Sequence, residues 1–128
     1  MSGSACIRTL IVDDESLARE RLRNMLATDP AIQIIGECSN GQDAIEAIQA
    51  LSPDLVFLDV EMPGIDGFAV AQQLKLEPET QKIPVIFITA RTAAKDVIQG
   101  IQAGARSYIT KPFQLKDVLE KVKRAIGE

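Results

Sequence analysis

Acidic side chains follow two apolar segments of the chain at the point where each segment ends. Asp13 and Asp14 come directly after Ile7–Val12, and Asp59 comes directly after Leu55–Leu58. If these segments are neighbouring strands of a parallel sheet, their carboxyl ends meet at one edge, where open α/β sheets bind their ligands. We therefore expect the three carboxylates to converge.

Three carboxylates at one edge repel one another, which raises each pKa and opposes folding. A hard divalent cation removes that cost, and oxygen ligands favour Mg²⁺, Mn²⁺ or Ca²⁺. The chain contains no histidine, the commonest general base and metal ligand. Mg²⁺ takes only one or two protein carboxylates, so one is left to act as a nucleophile and form an acyl phosphate. Asp59 is the candidate because its strand is predicted to be central, and Asp13 and Asp14 would hold the metal.

A hydroxyl and an ammonium follow two later apolar segments in the same way. Thr89 comes after Val85–Ile88, and Lys111 comes shortly after Tyr108–Ile109. A threonine hydroxyl can donate a hydrogen bond to a phosphoryl oxygen, and a lysine supplies a point charge. Phosphoryl transfer needs little beyond positioning and charge neutralisation. Any one of these residues alone is more often a helix cap or a turn residue. Together, at four strand ends, they predict a metal-binding acidic edge with a lysine and a threonine that suit a phosphoryl group.

Short apolar segments alternate with amphipathic ones along the chain, which predicts βα units and a parallel sheet. The predicted strands are Ile7–Val12, Ile32–Ile35, Leu55–Leu58, Val85–Ile88 and Tyr108–Ile109. The predicted helices carry apolar residues at helical spacing within residues 18–26, 44–51, 68–74, 97–105 and 115–126. Right-handed crossovers place helices on both faces of the sheet. The fold class is therefore α/β and doubly wound, a flavodoxin-like (βα)5 fold with a five-stranded parallel sheet, and the strand order 2-1-3-4-5 is adopted by analogy with that class.

Length and composition narrow the possible classes of partner. The 128 residues fit one domain, which we expect to span residues 6–127. The net charge is −4 and there is no basic stripe, so direct nucleic-acid binding by this chain is not expected. No apolar segment approaches the roughly 20 residues that span a bilayer, and the first residues lack a signal-peptide pattern, so we expect no membrane association and a cytoplasmic location. Cys6 and Cys38 are predicted to be small buried residues at opposite edges of the sheet, too far apart to form a disulfide.

Four segments carry motifs that extend beyond these single residues. They are Leu10–Glu15, Leu58–Gly67, Ile88–Ala90 and Gly104–Phe113. Together they resemble the receiver (CheY-like) domain of bacterial two-component response regulators, over residues 7–126 and without departure at the five positions above. The resemblance implies a signalling switch rather than an enzyme. It would accept a phosphoryl group from a sensor histidine kinase or a histidine phosphotransfer protein.

The resemblance also implies roles for the acidic residues. Asp59 would be the phosphoacceptor and would share in binding Mg²⁺, for which Mn²⁺ could substitute. Asp14, with Asp13 acting partly through water, would hold the metal. The backbone carbonyl of Glu61 would be a further protein ligand.

Other implied roles concern the response to phosphorylation. Thr89 and Lys111 would contact the phosphoryl oxygens, and the Lys111–Pro112 peptide bond would be cis. Thr89 would move toward the phosphoryl group and leave space that Tyr108 can fill. That movement would change the surface formed by the fourth helix, the fifth strand and the fifth helix, which an unknown downstream partner or effector domain would recognise.

Two other functions share parts of this pattern, and the output stays open. A flavodoxin-like cofactor binder needs a loop rich in glycine, serine or threonine after the first strand, where this chain has three acidic residues. An aspartyl-phosphate phosphatase usually has its nucleophile on the first strand and a cap segment that encloses the substrate.

Residues 14–23 look like receivers that precede a LytTR-type DNA-binding domain, whereas residues 104–113 look more like chemotaxis or cyclic-dinucleotide receivers. A stand-alone regulator and the receiver part of a longer protein are both compatible with the pattern.

Overall fold

The computed structural model describes residues 6–90 and 106–127. The strands within these residues are β1 (Ile7–Val12), β2 (Ile32–Cys38), β3 (Leu55–Asp59), β4 (Val85–Thr89) and β5 (Ser107–Thr110). The helices are α1 (Ser16–Leu26), α2 (Gly41–Leu51), α3 (Gly67–Lys75) and α4 (Leu115–Ala125). The predicted helix within residues 97–105 lies outside the described residues, and α4 is the last of the predicted helices. Among the described helices, none is long and apolar enough to cross a membrane.

All neighbouring strands are parallel, and the order across the sheet is β2-β1-β3-β4-β5. The predicted doubly wound α/β class and the order 2-1-3-4-5 are therefore confirmed. In consequence β1 and β3, which lead into the acidic residues, are neighbours, with Val12 opposite Leu58. Asp13 and Asp59 follow these two residues side by side. The parallel pairing continues through β4 and β5, so the carboxyl ends of these strands lie side by side along one edge of the sheet.

The sheet is covered on both faces because its central strands carry apolar side chains in nearly every position. β3 and β4 are buried along their whole length. One face packs against α2 and α3, where the rings of Phe68 and Phe87 meet edge to face with 5.0 Å between their centroids. The other face packs against α1 and α4 through residues such as Leu22, Leu26 and Val122. Each fully buried leucine or phenylalanine contributes roughly 1.5–3 kcal/mol, so the two layers hold the strand ends firmly in place.

Helices α2 and α3 begin at polar residues that bond to their first turn. Asn40 Oδ1 accepts a hydrogen bond from the Asp43 N–H at 2.8 Å, and Asp66 Oδ1 accepts one from the Ala69 N–H at 2.8 Å. Such caps satisfy backbone donors that the helix itself leaves without a partner. Glu15, in the equivalent position before α1, makes no cap bond with its side chain. Its carboxylate is therefore available for other contacts.

The two cysteines are free, and neither is fully buried. The prediction that Cys6 is buried is wrong, because this residue precedes the paired length of β1 and is exposed. Cys38 is only partly buried at the end of β2, which is an edge strand. β2 is also longer than predicted, since its pairing with β1 continues as far as Cys38, opposite Val12.

Gly67 brings the start of α3 against the end of β3. A Cβ atom built at Gly67 would lie 2.3 Å from the carbonyl oxygen of Asp59, well inside contact distance. We expect Gly67→Ala to push α3 and the end of β3 apart and to lower the free energy of unfolding by about 2 kcal/mol or more, as overpacked cores do. Urea unfolding followed by far-UV circular dichroism measures this loss.

Gly36→Ala is the matched control for that substitution. The atom nearest to a Cβ at Gly36 is Leu10 Cδ1 at 3.2 Å, the end of a side chain that can turn aside. The loss in this variant should be smaller by at least about 1 kcal/mol. Equal losses in the two variants would show that the close approach at Gly67 does not limit the packing there.

Candidate functional site

The carboxyl edge of the sheet gathers the residues that the sequence singles out. Asp13 follows β1, Asp59 ends β3, Thr89 ends β4 and Lys111 follows β5. One carboxylate oxygen from each of Asp13, Asp14 and Asp59 lies within 4.8 Å of the other two. Asp13, Asp59 and Thr89 are buried, whereas Asp14 is exposed. The three acids, the hydroxyl and the ammonium therefore lie at one edge.

Asp13 is held by several contacts at the end of β1. Its backbone N–H donates to the Cys38 carbonyl at 3.0 Å, and its Oδ1 accepts a hydrogen bond from the Glu15 N–H at 2.9 Å. Its Oδ2 faces the Lys111 ammonium at 3.0 Å. This oxygen is fully buried, yet it accepts no well-oriented hydrogen bond from the described residues. A buried oxygen with acceptor capacity left over is the kind of group that a bound cation satisfies.

Asp59 lies on the central strand between the other charged groups. Its Oδ1 accepts a hydrogen bond from the Glu61 N–H at 3.1 Å, and its Oδ2 lies 3.9 Å from Lys111 Nζ. The pKa of the Asp59 carboxyl is raised to about 8, chiefly by burial; the Glu61 N–H opposes the rise, the charge of Asp13 adds to it and that of Lys111 opposes it. Without a cation, this carboxyl therefore tends to hold a proton near neutral pH.

Lys111 forms ion pairs with three carboxylates. Its Nζ lies 3.0 Å from Asp13 Oδ2 and 3.9 Å from Asp59 Oδ2, and it contacts Glu15 Oε1 more closely than either. Burial acts to lower the pKa of the ammonium, but the nearby carboxylates of Glu15, Asp13 and Asp59 outweigh it and raise the pKa above its ordinary value. Its backbone N–H donates to the Thr89 carbonyl at 2.9 Å. The ammonium is therefore charged and lies beside the acidic cluster.

Thr89 and Tyr108 lie on neighbouring strands and on the same face of the sheet. Tyr108 stands opposite Phe87, two residues before Thr89, and paired residues of adjacent strands share a face. The Tyr108 ring is partly buried, and its centroid lies 5.1 Å from Lys121 Nζ. The same ammonium donates to the Tyr108 carbonyl at 2.9 Å. This placement is compatible with the switch role, which stays a prediction. Just beyond β5, the Lys111–Pro112 peptide bond is cis.

Sequence reasoning missed the arginines of α1 that support the end of β1. Arg19 Nη1 donates to the carbonyl oxygen of Asp13 at 2.7 Å, and Arg19 Nε pairs with Glu37 Oε1 at 3.2 Å. Arg23 pairs with the other carboxylate oxygen of Glu37. The i, i+4 spacing shows that the two arginines share a helix face, but nothing in the sequence indicates that Glu37 on β2 lies beside that face. The contact of Glu15 with the ammonium of the site is equally absent from the sequence pattern.

The donor set fits a small divalent cation. The converging ligand atoms are carboxylate oxygens of Asp13, Asp14 and Asp59, without histidine or cysteine. The Glu61 backbone is held next to this cluster by its hydrogen bond to Asp59. An open cleft above the cluster is lined by Asp14, Glu15, Asp59, Glu61, Ala90 and Lys111. Hard oxygen ligands beside an open cleft, where water can complete the coordination, suit Mg²⁺.

Comparison with known sequences agrees with the family resemblance of the sequence motifs. The family model described as response regulator receiver domain matches residues 9–123. A protein-glutamate methylesterase/protein-glutamine glutaminase of Alkalilimnicola ehrlichii is 34% identical over 125 residues, which are 95% of this chain and 31% of that protein. The chain thus spans about a third of the length of this relative.

Solved structures agree with the sequence comparison. The response regulator domain of CheB from Thermotoga maritima superimposes with a TM-score of 0.86 at 27% identity, over 96% of this chain and 98% of that one. A chain of the CheX–CheY–BeF₃–Mg²⁺ complex from Borrelia burgdorferi superimposes with a TM-score of 0.86 at 25% identity, over 95% of this chain and 90% of that one.

Because the pKa of Asp59 is raised, ionising this carboxyl at high pH should destabilise the folded state when no cation is bound. A carboxyl whose pKa rises from 3.8 to about 8 on folding contributes stability that is fully present below pH 3.8 and is lost as the pH rises toward 8. In a chelating buffer we expect Asp59→Asn to be more stable than the wild type at pH 8, by on the order of 1–3 kcal/mol. The difference should shrink as the pH falls toward 5. Urea unfolding at each pH measures it.

Asp14→Asn serves as the control, because it removes a charge from the same cluster at an exposed position. Its gain in stability at pH 8 should be clearly smaller than that of Asp59→Asn. A gain for Asp59→Asn that stays constant between pH 5 and pH 8 would contradict the prediction.

Proposed function

The chain belongs to the response regulator receiver domain family, and on that premise we propose that it is a phosphorylation-controlled signalling switch with Asp59 as the phosphoacceptor. The observation that carries the proposal is the position of Asp59, a buried carboxylate 3.9 Å from Lys111 Nζ and clustered within 4.8 Å with carboxylate oxygens of Asp13 and Asp14. Phosphoryl transfer depends on positioning and on neutralising charge around the transferred group, and this cluster supplies both. The unit that carries the function is bounded by residues 6–127.

Mg²⁺ would be held by the side chains of Asp13, Asp14 and Asp59 and by the backbone carbonyl of Glu61, with Mn²⁺ as an alternative. When bound, the cation neutralises the carboxylates and the charge on the phosphoryl oxygens. Lys111 keeps its ammonium charged beside the cluster, where it would bind a phosphoryl oxygen. The Glu61 N–H holds the Asp59 carboxylate in one orientation.

The transfer moves one phosphoryl group between two nucleophiles. A carboxylate oxygen of Asp59 attacks the phosphorus of a phosphohistidine on a sensor histidine kinase or a histidine phosphotransfer protein. The new P–O bond forms as the P–N bond breaks, and the leaving imidazole keeps the electron pair and takes up a proton. The product is an acyl phosphate on Asp59.

The signal would leave the site through Thr89 and Tyr108. Phosphorylation replaces the single charge of the Asp59 carboxylate by a group with close to two negative charges and three acceptor oxygens, toward which the Thr89 hydroxyl would be drawn. Because Thr89 and Tyr108 lie on the same face of adjacent strands, movement of one changes the space available to the other. The surface affected would comprise β5, α4 and the segment 97–105, which lies outside the described residues. A downstream partner or effector domain would recognise that surface.

The relatives support some parts of the proposal and not others. The name methylesterase/glutaminase belongs to a relative of which the chain spans 31%, and neither activity is proposed for this chain. The Borrelia complex is named with BeF₃ and Mg²⁺. Since this chain shares that fold over 95% of its length, the complex supports Mg²⁺ and a phosphoryl-like anion as ligands here.

Incubation with acetyl phosphate and Mg²⁺ tests the phosphoacceptor directly. By intact mass spectrometry we expect the wild type to gain the mass of one phosphoryl group and Asp59→Asn to gain none, because an amide is not a comparable nucleophile. Asp54→Asn is the matched control: Asp54 lies just before β3, at the opposite edge of the sheet, and this variant should react like the wild type. Steady turnover of an organic phosphomonoester without any mass gain would favour a phosphatase and overturn the proposal.

Relief of repulsion in the acidic cluster predicts that Mg²⁺ raises the melting temperature. A ligand that binds only the folded state at a hundredfold excess over its Kd stabilises that state by about 2.7 kcal/mol. Asp14→Ala should lose most of the Mg²⁺-dependent rise seen by differential scanning fluorimetry, and Glu46→Ala, which removes an exposed acid from α2, should keep it. The metal site is wrongly assigned if the Asp14→Ala variant responds to Mg²⁺ as the wild type does.

A further inference from the structure

Glu15 makes a contact that the proposed phosphoryl transfer does not use. Its Oε1 contacts Lys111 Nζ more closely than either buried aspartate does. The Glu15 side chain is 63% exposed, whereas those of Asp13 and Asp59 are 1% and 4% exposed. Lys111 therefore divides its charge between two buried carboxylates and one that is largely in water.

The Lys111 ammonium lies closer to two other carboxylates than to that of Asp59. Asp13 Oδ2, at 3.0 Å, and the closer Glu15 Oε1 lie within hydrogen-bonding distance of Nζ, but Asp59 Oδ2, at 3.9 Å, lies outside it. A phosphoryl group on Asp59 would carry three acceptor oxygens and close to two negative charges in place of the single charge of the carboxylate. To bind one of those oxygens, the ammonium has to move toward Asp59 and away from a present partner.

Of the two partners, Glu15 is the one that can release the ammonium. Asp13 is buried and bonded through its side chain and backbone, and a buried charge that loses its partner costs several kcal/mol. The Glu15 carboxylate is exposed and makes no cap bond to α1, so water can replace Lys111 at little cost. The ion pair between Glu15 and Lys111 is therefore the contact that yields.

We propose that Glu15 is a positioning residue that retains the Lys111 ammonium in the unphosphorylated protein and competes with the phosphoryl group for it. The proposal rests on the proposed function, since it concerns the same phosphoryl site. The Glu15 side chain acts on the phosphoryl site through Lys111. Its competition weakens the binding of a phosphoryl-like anion and contributes little to folding.

Beryllium trifluoride, a tetrahedral stand-in for the phosphoryl group, tests this competition without any chemical step. It is titrated into the Mg²⁺-loaded protein, and binding is followed by isothermal titration calorimetry. We expect Glu15→Gln to bind BeF₃⁻ about two- to fivefold more tightly than the wild type, the range set by exposed ion pairs. Affinity for Mg²⁺ alone should be unchanged or weaker, because the variant removes a negative charge near the cation. A general change in structure would not strengthen the binding of BeF₃⁻ while the affinity for Mg²⁺ stays the same or falls.

Two variants separate retention of Lys111 from the effect of charge. Glu15→Asp keeps the charge but shortens the side chain by one methylene and favours capping of α1 over contact with Lys111. It should therefore bind BeF₃⁻ more tightly, as Glu15→Gln does. Glu20→Gln removes the same charge further along α1 and should bind like the wild type. Urea unfolding of each variant checks that the protein titrated is folded.

Three results would overturn the role of Glu15. They are an unchanged BeF₃⁻ affinity in Glu15→Gln, an equal gain in Glu20→Gln, and a wild-type affinity in Glu15→Asp, which would assign the effect to charge alone. Failure of the wild type itself to bind BeF₃⁻ in the presence of Mg²⁺ is a different result, because it overturns the proposed function.

Discussion

The fold buries negatively charged side chains where water cannot solvate them well, and the surrounding contacts compensate for the lost solvation. β1 leads into Asp13 and β3 ends at Asp59, both buried at the sheet edge, and the buried residues before them are apolar apart from Thr9. Ions in such a position cost several kcal/mol each when nothing compensates them. Here the compensation comes from the Lys111 ammonium and from backbone N–H groups of Glu15 and Glu61. What these contacts leave uncompensated is available to a cation or a proton.

Rigidity of the two helical layers keeps the acids from moving apart to relieve their repulsion. The end of β3 is covered by α3, whose first residue, Gly67, allows the backbones to touch. The end of β1 is held by Arg19 of α1, which donates to the carbonyl of Asp13. With both strand ends fixed, Asp59 stays buried beside Asp13, and its pKa is raised chiefly by that burial and further by the charge of Asp13. The strands that form the core are thus the same strands that hold the acidic residues of the site in place.

The strands that carry the site can be predicted because each central strand is buried on both faces, so that an apolar run ending in a polar residue marks the strand and its end. The order of the strands cannot be derived in this way, since periodicity describes one strand at a time. Asp13 and Asp59 meet only because β3 lies beside β1. The contacts of Glu15 and Arg19 depend on the angle at which α1 leaves β1 and on the rotamers of long side chains. Cys6 shows a similar limit, because its burial depends on where strand pairing begins.

A lysine suits position 111 better than an arginine would, because its charge has to compensate several buried or nearby carboxylates. A guanidinium holds its donors in a rigid plane and tends to settle on one carboxylate in a bidentate pair. An ammonium is a compact charge whose three donors turn freely, so Lys111 can be shared among Asp13, Asp59 and Glu15. Its backbone is anchored by the N–H bond to the Thr89 carbonyl at 2.9 Å, so that only the end of the side chain has to move. If Asp59 is phosphorylated as proposed, the site gains about one further negative charge and three acceptor oxygens. It then needs a cation that stays in place and changes partner, and an exposed carboxylate is the partner that water replaces most cheaply.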